Sequence, residues 1–165
     1  MFKKPIIAST LAATTKVPPY SVHSEKVLLG SMLREPRIVK DIKKIISDGD
    51  VFFRPEHGRL YDAMIKASRK RRSLKTESLI AAAAAAPGTL DDAGAADQLR
   101  DLVDVAEDPP KAIQHAKVVA EKARMRRLID AISDTLNDAY HSPDGFDAIL
   151  GRARKRLNEL GENAR

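Results

Sequence analysis

The sequence predicts an all-α protein: a compact helical head of about five helices followed by a long antiparallel helical hairpin. Three observations carry that expectation. Apolar residues recur at intervals of three and four along each well-patterned stretch, which is the mark of a helix with one buried stripe. Of the 165 residues 43% are hydrophobic and only 4% aromatic, so the core must be built from Ala, Leu, Ile and Val. Strand-type alternation is scarce, and the 32% charged fraction suits helices with one solvated face.

Pro18 and Pro19 hold the chain extended, and Ser21 is placed to accept the free amides of a first helix. Its stripe is Leu28, Leu29, Met32 and Leu33. Gly30 lies inside this helix, where glycine costs up to ~1 kcal/mol against Ala, so a close helix contact is expected there. Pro36 suits the first turn of a second helix, whose buried face is Ile38, Val39, Ile42, Ile45 and Ile46, and Asp48, Gly49 and Asp50 end it. Phe52 and Phe53 precede Pro55, which starts a third helix through His57, Leu60, Tyr61, Met64 and Ile65 that stops near Ser73. Thr76 is expected to cap a fourth, in which the six alanines from Ala81 to Ala86 favour helix before Pro87 and Gly88 break it. A fifth gathers Ala95, Leu99, Leu102, Val103 and Ala106.

Asp108 is a good N-cap before Pro109, and from there a helical pattern runs unbroken to about Tyr140. Met125, Leu128, Ile129, Ile132, Leu136 and Tyr140 mark its seam. Ser142, Pro143, Asp144 and Gly145 supply a turn, after which Phe146, Ile149, Leu150, Ala153, Leu157 and Leu160 repeat at helical spacing. Two such helices fold back as a hairpin. The expected organisation is a mobile leader (1–17), a helical head (18–108) and a hairpin (109–161), with 18–161 forming one domain. A lone hairpin buries its seam poorly, so self-association is expected through Met125, Leu128, Ile132, Leu136, Tyr140, Phe146, Ile149, Leu150, Ala153 and Leu157. The competing arrangement packs the hairpin against its own head.

The formal charge is +6. Lys66, Arg69, Lys70, Arg71, Arg72 and Lys75 form a basic cluster, while Asp91, Asp92, Asp97, Asp101, Asp104, Glu107 and Asp108 are opposed only by Arg100. The basic cluster is a possible nucleic-acid contact, but it lacks interleaved aromatics for base stacking. Binding to single-stranded DNA would be weak at most, salt-sensitive and indifferent to sequence. No cysteine is present, which suits a cytoplasmic protein, and no stretch reaches the ~20 apolar residues a membrane span needs. The four histidines, His23, His57, His115 and His141, are scattered without metal-ligand spacing, and structural or capping roles are expected of them. None of the eight glycines opens a Gly-x-x-x-x-Gly-Lys-Ser/Thr phosphate loop, so neither catalytic residues nor cofactor-binding residues are assigned.

Pro18-Pro19-Tyr20-Ser21-Val22-His23-Ser24-Glu25-Lys26-Val27-Leu28-Leu29-Gly30-Ser31-Met32-Leu33 resembles the opening of the DnaB-type replicative DNA helicases. Phe52-Phe53-Arg54-Pro55-Glu56-His57, followed by Leu60-Tyr61-Asp62-Ala63-Met64, is similar to the aromatic-then-histidine start of that family's third helix. Leu74 and Leu79 fit its next apolar positions. Thr89-Leu90-Asp91-Asp92-Ala93-Gly94 with Leu99 and Leu102 resembles its following loop and helix, and Ala116 to Lys122 with Arg126 to Ile129 resembles the start of its hairpin. Each fragment is weakly specific, but the order and spacing agree from Pro18 to about Leu160. Arg72, Ser73, Leu74 and Lys75 replace the family's usual glycine and small acidic step, so local surface function there departs from the pattern.

The resemblance implies the N-terminal collar of a hexameric motor, in which hairpins pair subunits and the pairs close as a trimer of dimers. It implies primase or helicase loader as partners, and it places ATP and Mg in a separate motor domain that this sequence does not include. The expected function is therefore oligomerisation and partner docking without catalysis. Two alternatives remain: a free-standing adaptor or decoy acting on a helicase or primase, or a non-specific nucleic-acid-binding module.

Overall fold

The centre of the molecule is its first helix, α1 (Val22–Arg34), which starts where Ser21 Oγ accepts the Ser24 amide at 3.3 Å. A computed structural model describes residues 17–69, 75–85, 88 and 95–162. Leu28, Leu29, Met32 and Leu33 of α1 are fully buried, each contributing about 1.5–3 kcal/mol of apolar burial. The predicted leader, apart from Val17, lies outside the described residues.

Pro36 opens a short 3-10 turn (Pro36–Ile38) before α2 (Val39–Ile45), so the second helix begins later than its proline suggested. A second 3-10 turn (Gly49–Val51) leads into α3 (Pro55–Arg69). Gly49 and Gly58 touch backbone to backbone, and a Cβ on either would overlap the other's carbonyl. Tyr61 buries its ring and donates its hydroxyl to the Ile46 carbonyl at 2.5 Å. Desolvation pushes that phenol well above its ordinary range, so it stays a neutral donor.

α4 (Thr76–Ala84) has Lys75 at its N-cap and no side-chain cap, which corrects the assignment of that role to Thr76. Thr76 is already helical, so its hydroxyl stands one position too late. Leu79 and Ala83 are the buried positions of α4. In α5 (Ala95–Asp104), Leu99 and Leu102 face the core while Asp97, Asp101 and Asp104 face water. Gly30 explains itself here: a Cβ at this position would overlap the Leu102 carbonyl oxygen, so α1 and α5 cross with their backbones in contact.

α6 (Pro109–His141) runs 33 residues, and α7 (Phe146–Glu162) returns along it. Asp108 holds the N-cap position of α6, but its side chain makes no capping bond. Pro109 and Pro110 supply no amides at the first two positions, so one of the two usual targets is missing. Ala112, Ala116, Val119 and Ala123 join the same buried core as α1, α3 and α5. The packing therefore crosses the 108/109 boundary expected from the sequence, and the head owns the first half of α6. Only the second half pairs freely with α7. Among the described residues there are no strands, and no helix is long and apolar enough to cross a membrane.

Candidate self-association interface

Small residues decide which part of α6 is buried and which is not. Alanines at 112, 116 and 123 let α6 lie close against the head, whereas beyond 124 the seam carries large apolar side chains with no head beneath them. Met125 is 41% exposed, Leu128 43%, Ile132 54% and Tyr140 61%, which is far above the exposure of the core leucines. On α7, Phe146 is 76% exposed and Leu157 47%. Leu136, Ile149, Leu150 and Ala153 are half-buried, so these four help to join α6 to α7 as well as bordering the open face. The structure thus brings all ten predicted residues onto one hairpin but divides their work. Ile129 and Val118 extend the exposed apolar surface.

The far end of the hairpin is pinned by charge. Arg156 donates to Asp138 at 2.8 Å, and Arg152 reaches Asp138 at 3.3 Å, Asp144 at 2.8 Å and Ser142 Oγ at 3.1 Å. The Arg156 hydrogen bond, followed by the charges of both arginines, holds the Asp138 carboxyl below the usual carboxylate range. Asp144 is lowered likewise, first by its bond from Arg152. At the other end, a groove of about 500 Å³ opens between the helices, lined by Met125, Leu128 and Leu160 with Arg124 and Arg127 at its rim.

Two polar groups organise the packing behind this face, half-buried Arg126 where the head meets α6 and buried Glu25 within the head, and sequence reasoning missed both. Arg126 donates to the carbonyls of Pro19 at 2.9 Å and Val51 at 2.6 Å, and its guanidinium lies 5.9 Å from the Phe53 ring, on which Tyr20 stacks. Burial lowers the Arg126 pKa from its ordinary value, although the group stays charged. Glu25, 2% exposed, accepts the Phe53 amide at 2.6 Å and sits 2.7 Å from His57 Nδ1. His57 is therefore structural, as expected.

Of the basic cluster, Lys66, Arg69 and Lys75 are exposed, while Lys70, Arg71 and Arg72 lie outside the described residues. Among the described residues no group of three His, Asp or Glu side chains could hold a metal ion.

This fold has known counterparts. Residues 17–121 match the family model described as DnaB-like helicase N terminal domain. The chain belongs to that family. Within DnaB-type proteins, the replicative DNA helicase DnaB of Geobacillus stearothermophilus is 25% identical over 147 residues, 89% of this chain and 32% of that protein. DnaB of Mycobacterium leprae (strain TN) is 29% identical over 147 residues, 88% of this chain and 24% of that protein. The chain thus spans about a quarter to a third of the length of these relatives. The crystal structure of the N-terminal domain of DnaB helicase from Mycobacterium tuberculosis superposes with a TM-score of 0.74 at 25% identity, covering 87% of this chain and 99% of that one. The DnaB resemblance read from Pro18 onward and the all-helical architecture are both borne out.

Proposed function

We propose that this chain is the oligomerisation and docking domain of a replicative DNA helicase. It joins copies of itself through the hairpin, first as dimers and then as a trimer of dimers, and presents the assembled collar to primase or to a helicase loader. The observation that carries this reading is the apolar face of α6 and α7 that the head leaves uncovered, from Met125 to Tyr140 and from Phe146 to Leu157. ATP and Mg belong to a motor domain elsewhere in a longer cytoplasmic protein, and this domain contributes neither nucleotide nor metal chemistry.

Sedimentation across concentration tests the reading. The parent chain should pass from monomer to dimer or beyond, whereas Ile132→Asp should remain monomeric with unchanged helicity, because Ile132 is 54% exposed and its replacement leaves the fold intact. A parent that stays monomeric throughout sinks the proposal. Lys66, Arg69 and Lys75, all exposed, favour one added contact with single-stranded DNA. That contact should vanish between low and physiological salt if it is purely electrostatic.

A further inference from the structure

We propose that the chain's own segment 1–16, through Phe2, Ile6, Ile7 and Leu11, binds the exposed apolar seam of distal α6 in the same copy, and that a second copy must displace it before the two can pair. The displacement rests on the self-association reading, whereas the contact within one copy stands apart from it. The first observation is the path of the backbone. Ser31 Oγ accepts the Glu107 amide at 2.9 Å, the His23 and His115 rings lie 5.7 Å apart, and Arg126 reaches the Pro19 carbonyl at 2.9 Å. α1 therefore runs antiparallel to α6, and each step back along the chain from Ser31 is a step up α6. Continued upstream of Pro19, that course passes Arg126 and meets the half of α6 that the head leaves uncovered. Val17, upstream of that point, is 67% exposed.

The second observation is reach and apolar match. Sixteen residues precede Val17, enough to span up to ~50 Å. From Ile129 to Tyr140 the helix rises only about 17 Å. The segment carries four large apolar side chains, Phe2, Ile6, Ile7 and Leu11, and the seam offers Leu128, Ile129, Ile132 and Tyr140, all exposed.

The third observation is charge. Residues 1–16 hold Lys3, Lys4 and Lys16 and no acid, while α6 from Leu128 to His141 holds Asp130, Asp134 and Asp138 and neither Lys nor Arg. Arg152 and Arg156 of α7 take Asp138. Asp130 and Asp134 are exposed and form no ion pair among the described residues, and of the two arginines that border the same groove, Arg127 and Arg156, the second is already bonded to Asp138. A lysine-bearing segment entering here meets uncommitted acids.

Tethering then decides when the seam is covered. A segment joined to the chain beside its site acts at an effective concentration on the order of millimolar, which dilution does not change, whereas a second copy must arrive from solution. The segment therefore holds the seam in dilute solution and yields as the chain concentration rises.

The chain has no cysteine, so Ser9→Cys carries a nitroxide at one position. In a dilute, isotope-labelled sample of that chain the amides of residues 128–140 should broaden, and the broadening should vanish when labelled parent is mixed with unlabelled nitroxide-bearing chain. No broadening at 128–140, or broadening that survives the mixing, overturns the contact within one copy. Sedimentation of the full-length triple variant Ile6→Ser, Ile7→Ser and Leu11→Ser tests the displacement. A segment on the seam about two-thirds of the time leaves roughly one encounter in nine open on both copies, so the variant should lower the dimer dissociation constant about 10-fold with unchanged helicity. An unchanged or raised constant overturns the displacement. If parent and variant both stay monomeric at every concentration, the self-association reading and the displacement fall together, and the nitroxide result alone decides the contact.

Discussion

At the residue scale, Glu25 shows how one buried carboxylate organises backbone far from it in sequence. It gathers Phe53, Arg54 and His57, which lie 28, 29 and 32 positions later, and so anchors the start of α3 to α1. Glu25→Ala should lower stability by about 3 kcal/mol in urea unfolding, because the Phe53 amide and the imidazole lose their partner in a dry site. A loss below about 1 kcal/mol would mean that water replaces the carboxylate. Gly30→Ala should cost roughly 2–3 kcal/mol, since the new methyl meets the Leu102 carbonyl and the whole helix must move. Gly30 and Ser21 were legible in the sequence because a glycine within a helix and a serine before one break or complete a local pattern. Glu25 and Arg126 were not, because a charge that serves as an internal tie follows no period and its partners come together only when distant segments pack.

At the scale of elements, apolar spacing located the helices well, and what it missed came from backbone chemistry. Caps depend on one position and on a free amide, as Thr76 and the Pro109–Pro110 pair illustrate. The hairpin tip is where pH should act. Folding lowers the Asp138 and Asp144 pKa values, so their contribution is complete above the unfolded carboxylate range and fades as pH falls through the lower folded values. Acid should therefore loosen residues 135–156 before it affects the head. Asp138→Asn should flatten that dependence, as read by amide exchange at the tip at neutral and acid pH. If the acid response is the same in both proteins, the Asp138 network does not hold the tip.

For the whole molecule, the core built by α1, α3 and α5 continues into α6 as far as Ala123. A stripe of alanines reads as helix from composition alone, yet only the assembled head reveals that Ala112, Ala116 and Ala123 are core. Met125, Leu128, Ile132 and Tyr140, which the sequence assigned to self-association, are left exposed by the head. Two tiers of amide protection should follow, with α1, α3 and the first half of α6 exchanging slowly at every concentration and the distal hairpin slowing only as copies associate. Equal protection throughout in dilute solution would contradict this division. The continuity of α6 has a mechanical consequence. One unbroken helix of 33 residues, about 50 Å long, is embedded at one end and free at the other, with the Arg126 clasp near its midpoint. It is a lever: a change of a few degrees in how two hairpins cross would swing each head through several ångströms without disturbing a single contact inside it.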